Sequence, residues 1–242
     1  MSNTEMRTDC IENTETERVR QRYERRKHIM ADLYNPLNPS VYMSTQERER
    51  ALIKLIQWAK LEPVRDKHLL EIGCGSGGNL LQLIKLGFKP DNLVANELLE
   101  ERAETARHHL PLSVKVIKGD AVEMDLEPET FDIVFQSTVF TSILDSSFQQ
   151  RLAEKTWQLT KPGGGVIWYD FIYNNPANPD VIGIPPKRIR QLYPQGKIKC
   201  WRTTLAPPIS RRVTKIHPSL YSLFNTVPLL RTHVLCWIEK SK

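Results

Sequence analysis

From Leu69 to Gly78 the chain reads Leu-Leu-Glu-Ile-Gly-Cys-Gly-Ser-Gly-Gly, and no other run limits its possible folds so strongly. The first four residues suit a buried strand, and the glycines break it. Asn79-Leu-Leu-Gln-Leu-Ile-Lys-Leu then has the apolar spacing of a helix. A strand turning through glycines into a helix opens a βαβ unit. Gly73, Gly75 and Gly77 or Gly78 let the backbone turn tightly and approach a ligand closely. The helix start behind them offers free N–H groups. Glu71, two residues before the first glycine, places a carboxylate at the mouth of the turn. A pyrophosphate is disfavoured beside that charge, whereas an ammonium or sulfonium is welcome.

The rest of the chain continues the alternation. Strands are expected at 68–73, 92–96, 114–119, 131–136 and 165–170, with helices at 79–86, 98–109 and 145–160 and a shorter link at 121–126. Such spacing implies right-handed crossovers and a doubly wound, Rossmann-like α/β sheet, mostly parallel and covered on both faces. Closing strands at 197–205 and 232–239 bring the total to seven, with an antiparallel strand at the edge, after a short helix at 186–194. Ahead of the sheet, 1–17 is polar and expected to fray, and 17–33 reads as a charged helix stopped by Asn35-Pro36 and Asn38-Pro39. A second helix is expected to begin at Ser44, with Glu47 completing a capping box. The implied organisation is an N-terminal extension over 1–44 and one domain over 45–240. Within that domain 206–230, broken by Pro207, Pro208, Pro218 and Pro228, has the length of a lid or binding loop.

No stretch reaches 18 apolar residues, so no transmembrane helix is expected. The first residues lack the apolar core of a signal peptide. Cys10, Cys74, Cys200 and Cys236 are widely spaced, which predicts neither a disulfide nor a zinc site, and a soluble, cytoplasmic protein in a reducing compartment. His108 and His109 are adjacent and cannot act as i, i+4 ligands, and no metal site is expected. Charge is uneven: 181–242 holds twelve Lys/Arg against one acid, Glu239, while the first 180 residues hold 22 bases and 27 acids. That asymmetry points to an anionic partner for the last quarter.

Residues 73–78 formally satisfy G-x-G-x-x-G, a pattern also found in dinucleotide sites. Glu71 argues against a dinucleotide. Glu97 closes the second strand, where a carboxylate can accept ribose hydroxyls. Lys118-Gly119-Asp120-Ala121, Phe131-Asp-Ile-Val-Phe-Gln136 and Leu159-Thr-Lys-Pro-Gly-Gly-Gly165 follow in order. This set resembles the class I methyltransferases dependent on S-adenosylmethionine (SAM), over about residues 45–240. The resemblance implies SAM as cofactor and S-adenosylhomocysteine as product. Gly73, Cys74, Gly75 and Gly77 would pass under the methionine part, with Glu71 at the same end. Glu97 with Leu98 would hold the ribose, Asp120 and Ala121 the adenine, and Gln136 would border the methionine and the substrate.

Methyl transfer from a sulfonium requires no fixed base, and the sequence marks none. Gln136-Ser-Thr-Val139 stands where an Asn-Pro-Pro-Tyr motif would mark amide or exocyclic-nitrogen methylation. Candidates near the acceptor are Asp170, Tyr173, Asn174 and Asn175 after the fifth strand, His217 and Tyr221 in the insert, and Tyr34 and Tyr42 ahead of the sheet. The stretch from Tyr169 to Pro179, with Leu229-Leu-Arg-Thr-His233, more loosely resembles a bacterial subgroup associated with polysaccharide or natural-product biosynthesis. The expected acceptor is a small molecule or glycan, anionic in part, methylated at oxygen. An RNA acceptor gripped by the basic quarter, with Arg211 and Arg212 central, is the alternative, and a non-catalytic binding protein a further one. Residues 219–228 also suit contact with a membrane surface.

Overall fold

The computed structural model describes residues 14–33 and 35–242; Cys10, Tyr34 and most of the segment expected to fray lie outside these residues. Two helices, α1 (Glu15–Leu33) and α2 (Pro39–Trp58), precede the sheet. The alternation then runs β1 (Leu69–Ile72), α3 (Gly78–Lys85), β2 (Leu93–Glu97), α4 (Glu100–His109), β3 (Lys115–Lys118) and β4 (Phe131–Ser137). It continues through α5 (Ser146–Leu159), β5 (Thr160–Phe171), α6 (Pro186–Leu192) and β6 (Lys197–Leu205). Two short helices, α7 (Pro207–Ile216) and α8 (Ser219–Asn225), lead into β7 (Arg231–Glu239).

The seven strands form one sheet in the order β3-β2-β1-β4-β5-β7-β6. The first five are parallel, and β7 runs antiparallel between β5 and β6. Alternate residues of the central strands enter two cores. Leu70, Val134 and Trp168 pack with Val19 of α1, Leu152 of α5 and Ile189 of α6. Leu69, Ile133 and Ile167 pack with Leu55 of α2, Leu83 of α3 and Ala106 of α4. The order reverses between β1 and β4, so the C-terminal ends of those strands open a crevice there.

Several local expectations need correction. Helix α2 begins at Pro39, five residues before Ser44, because the Asn38 side chain caps the Ser40 N–H at 3.0 Å and proline suits the first helical position. Asn38-Pro39 is therefore a start signal, and Glu47 caps nothing in its own helix. Residues 121–126 form no helix. Strand β5 starts at Thr160, not 165, because Gly163 and Gly164 bond to Lys240 beyond the end of β7. Cys200 and Cys236 form a disulfide, against expectation. They lie 36 residues apart in sequence but directly opposite each other across β6 and β7. Cysteine spacing thus loses its force as an argument for a reducing compartment.

Candidate active site

One cavity of about 1250 Å3 lies over the C-terminal ends of the parallel strands, walled by α1, the start of α2 and the start of α7. At one end is the glycine turn. Gly73, Gly75 and Gly77 have φ of +64°, +58° and +86°, which side-chain-bearing residues rarely adopt. A Cβ on Gly73 would lie 2.7 Å from Cγ2 of Val139, whereas one on Gly75 would meet nothing within 4 Å. The turn is packed on one side and leaves room for a ligand on the other.

Gly73, Cys74, Gly75, Glu97, Leu98, Asp120 and Ala121 line this end. Glu97 accepts the Gly75 N–H at 2.8 Å and the Leu99 N–H at 2.9 Å, tying the turn to the end of β2. Asp120 accepts the Val122 N–H at 2.9 Å, an Asx turn, and the Thr16 hydroxyl of α1 at 2.5 Å. Cys74 is buried, and burial pushes its thiol far up, so it stays protonated and is no nucleophile.

Glu71, Gly77 and Gln136 lie just off the wall. Glu71 is fully buried and accepts the Asn79 amide at 2.6 Å with one oxygen, while the other has no partner. Burial pushes its pKa up to about 7, against the lowering effects of Asn79 and Arg48. Gln136 accepts the Val139 N–H at 3.2 Å, and its amide faces the buried Asp170 carboxylate. One buried polar atom beside the turn, the second carboxylate oxygen of Glu71, therefore lacks a partner.

The opposite end is built by β5, β6, β7 and α2. The Tyr169 ring stacks on His233 with centroids 5.2 Å apart, and the Arg48 guanidinium lies 5.3 Å from the Tyr169 centroid. Arg48 also donates to Ser137 Oγ at 3.4 Å and has no carboxylate partner among the described residues. The Tyr169 hydroxyl meets Thr204 Oγ1 at 2.8 Å, and Glu47 accepts the Thr204 N–H at 2.9 Å and its hydroxyl at 3.2 Å. Thr138 and Thr204 both have positive φ, +58° and +61°, and both line the cavity. A β-branched residue held there is strained, so the Glu47 bonds hold Thr204 in a conformation it would otherwise leave. Burial, with the Arg48 charge beside it, pushes His233 down to about 4, so its imidazole is neutral at pH 7.

The acceptor candidates scatter. Asp170 is buried behind the wall, hydrogen-bonded by Thr141 at 2.6 Å, with its pKa raised by burial to about 7. Tyr173, on the rim, accepts a hydrogen bond from Arg202. Asn174 and Asn175 also line the rim, but their side chains accept the turn amides of Gly183 and Ala177 at 2.9 Å and 3.1 Å. His217 is exposed outside the cavity, and its Nδ1 accepts the Ser219 N–H at 3.2 Å. Tyr221 is buried in a small core with Leu205 and Val213, and Tyr42 is exposed off the wall. Sequence reasoning missed Glu47, Arg48, Asn79, Thr204 and His233 as site residues. One signal was present for His233. An imidazole at the start of an antiparallel closing strand must fall beside the C-terminal ends of the parallel ones.

Among the described residues no His/Cys/Asp/Glu cluster could hold a metal ion, and no helix is long and apolar enough to cross a membrane. Residues 69–164 match the family described as "Methyltransferase domain". The sterol 24-C-methyltransferase of Candida albicans is 30% identical over 111 residues, 43% of this chain and 28% of that protein. The sterol 4-C-methyltransferase strm-1 of Caenorhabditis elegans is 30% identical over 125 residues, 50% of this chain and 36% of its own length. The matched segment thus spans little more than a third of these relatives at most. A solved SAM-dependent methyltransferase of Thermotoga maritima, described as a possible histamine N-methyltransferase, shares the fold with a TM-score of 0.62 at 17% identity. That alignment covers 92% of this chain and 99% of the other.

Proposed function

Because the chain carries a class I SAM-dependent methyltransferase domain, we propose that it methylates a small-molecule acceptor, at oxygen, in the half of the cavity framed by Arg48, Tyr169 and His233. The observation that carries this reading is the division of one cavity into two unlike halves. Beside the glycine turn, Glu71 has a buried oxygen without a partner and Gly75 faces open space, which suits a cationic ligand lying against the backbone. Bound there, SAM supplies an electrophilic methyl group on a sulfonium. Glu71 and the 73–75 backbone would hold its amino-acid end, Glu97 the ribose hydroxyls, and Asp120 with Ala121 the adenine.

In the other half, Tyr169, Phe171 and His233 offer flat apolar faces to an acceptor. Arg48 offers a cation to an anionic or strongly polar group on it. Nε2 of His233 bonds to nothing among the described residues, while Nδ1 meets Thr232 Oγ1 at 3.1 Å. The neutral imidazole would accept a hydrogen bond from a hydroxyl acceptor and so turn its oxygen toward the methyl carbon, the proton passing to water as the new bond to carbon forms. The sterol substrates named for the two relatives accord with a small, largely apolar acceptor. An RNA acceptor has less support, because several bases of the last quarter are engaged internally. Arg188 bonds Gln149 and the Ser146 carbonyl, and Arg231 bonds the Asn225 and Arg202 carbonyls.

Thermal denaturation with S-adenosylhomocysteine and with NADH tests the cofactor half, with stabilisation expected from the first alone. No shift with S-adenosylhomocysteine overturns the reading. Transfer of labelled methyl to a panel of hydroxyl, amine and carbon acceptors tests the other half. Label appearing only on nitrogen or carbon removes oxygen as the acceptor atom.

A further inference from the structure

The insert between β6 and β7 shows more apolar surface than its own packing uses. Leu205, Val213 and Tyr221, with Met43, Leu220 and Leu230, fill the small core beneath α7 and α8. Ile216, Leu223, Phe224, Val227 and Leu229 face outward, with Ile216 at 79% and Leu229 at 81% exposure. Five of the twelve large exposed hydrophobics among the described residues thus fall within fourteen consecutive positions, 216–229. Arg211, Arg212 and Lys215 stand exposed on α7 beside them, and none has a carboxylate at salt-bridge distance among the described residues. No acid occurs between Val181 and Ile238, so the cationic character is not offset locally. Pro207, Pro208 and Arg211, at the start of α7, also wall the cavity.

We propose that α7, α8 and residues 226–229 dock on an anionic lipid surface, holding the cavity mouth at the bilayer from which an amphiphilic acceptor is drawn. Basic side chains beside outward apolar ones, with no acids between, are the composition that binds such a surface. A polyanion such as RNA would use the cations and leave the five apolar side chains in water, where stacking rings and a phosphate track are expected instead. The nature of the acceptor rests on the function proposed above; the docking does not, and it is measured without methyl transfer.

The test is cosedimentation of the intact chain with phosphatidylcholine vesicles, with and without phosphatidylglycerol. Binding to the phosphatidylglycerol vesicles, weakened by salt, is expected. Arg212→Glu/Lys215→Glu should reduce it by roughly tenfold or more, and Leu223→Asp/Leu229→Asp should reduce it comparably. Both variants should keep the wild-type melting temperature and the shift with S-adenosylhomocysteine, which separates lost docking from lost folding or a failed cofactor site. Absence of vesicle binding overturns the proposal, as does equal binding by wild type and both variants. It is likewise overturned if polyuridylate is bound in place of vesicles, or if the 216–229 face is covered by a second copy in solution.

Discussion

At the glycine-turn end of the cavity, one stretch of about ten residues sets the shape, and its main ties run to the next strand. Gly75 bonds Glu97, Cys74 bonds Asn96, and Asn79 bonds Glu71. At the acceptor end every important contact joins distant parts of the chain. Glu47 reaches Thr204, Arg48 covers Tyr169, and Tyr169 stacks on His233. The first end depends on backbone conformation and on a few residues adjacent in sequence. The second depends on four elements meeting correctly. The two ends therefore rest on different determinants, one local in the sequence and one assembled from distant segments.

The largest expected effect follows from breaking the turn itself. Gly73→Ala adds a Cβ 2.7 Å from Val139 at φ +64°. Strain of about 1–3 kcal/mol plus the clash should lower Tm by roughly 5–10 °C, and calorimetry should detect no S-adenosylhomocysteine binding. Gly75→Ala sharpens the point, because its Cβ meets open space. It should fold with a smaller Tm loss yet bind poorly, and a well-binding Gly75→Ala would show that no ligand approaches there.

Glu97→Ala removes a carboxylate that holds two backbone amides. Affinity for S-adenosylhomocysteine should fall by roughly 10- to 100-fold, since bonds to a charged acceptor contribute about 1.5–3 kcal/mol. Glu47→Ala is the matching change at the other end. Freed from Glu47, Thr204 should relax, costing about 1–3 kcal/mol of stability while the cofactor titration stays as in wild type. A weakened cofactor titration there would mean that the two ends are not independent.

The smallest effect concerns protons. The Glu71 pKa is raised by burial to about 7, so in the free protein the group stays protonated above the ordinary carboxylate range and ionises only near 7. A cation bound beside it favours the ionised form, so binding at pH 6 should release up to about one proton. Affinity should then rise with pH through this window and level off above 7. Calorimetry at pH 6 in buffers of different ionisation enthalpy measures the release, and Glu71→Gln should abolish it. Stability has two opposed contributions. Those of Glu71 and Asp170 are present below their unfolded pKa values and are lost as pH rises through about 7. That of His233, lowered to about 4, is present above 6.5 and is lost as pH falls through 4.

The sequence was readable where short-range chemistry decides. The 69–78 run, the strand spacing and Glu97 with Asp120 were all visible because each is a local pattern. Asn38-Pro39 was local too, but its two signals conflict: proline ends a helix from inside and begins one at its first turn. The Ser44–Glu47 spacing mimics a capping box, but Glu47 reaches Thr204 of β6 rather than its own helix start. Arg48, Thr204 and His233 carry no local mark. Their meaning comes from the position of β7 between β5 and β6, and that same antiparallel pairing brings Cys200 opposite Cys236.

That strand order also has a consequence for how the protein is made. Strand β6 bonds to β7 alone, so when residue 205 leaves the ribosome its edge has no partner until chain beyond residue 231 follows. The glycine-turn half can by then be folded, since it is complete once β4 and β5 have paired beside β1. Each new chain therefore passes through an interval with the cofactor end built, the acceptor wall missing, and β6 exposed to any strand-forming neighbour.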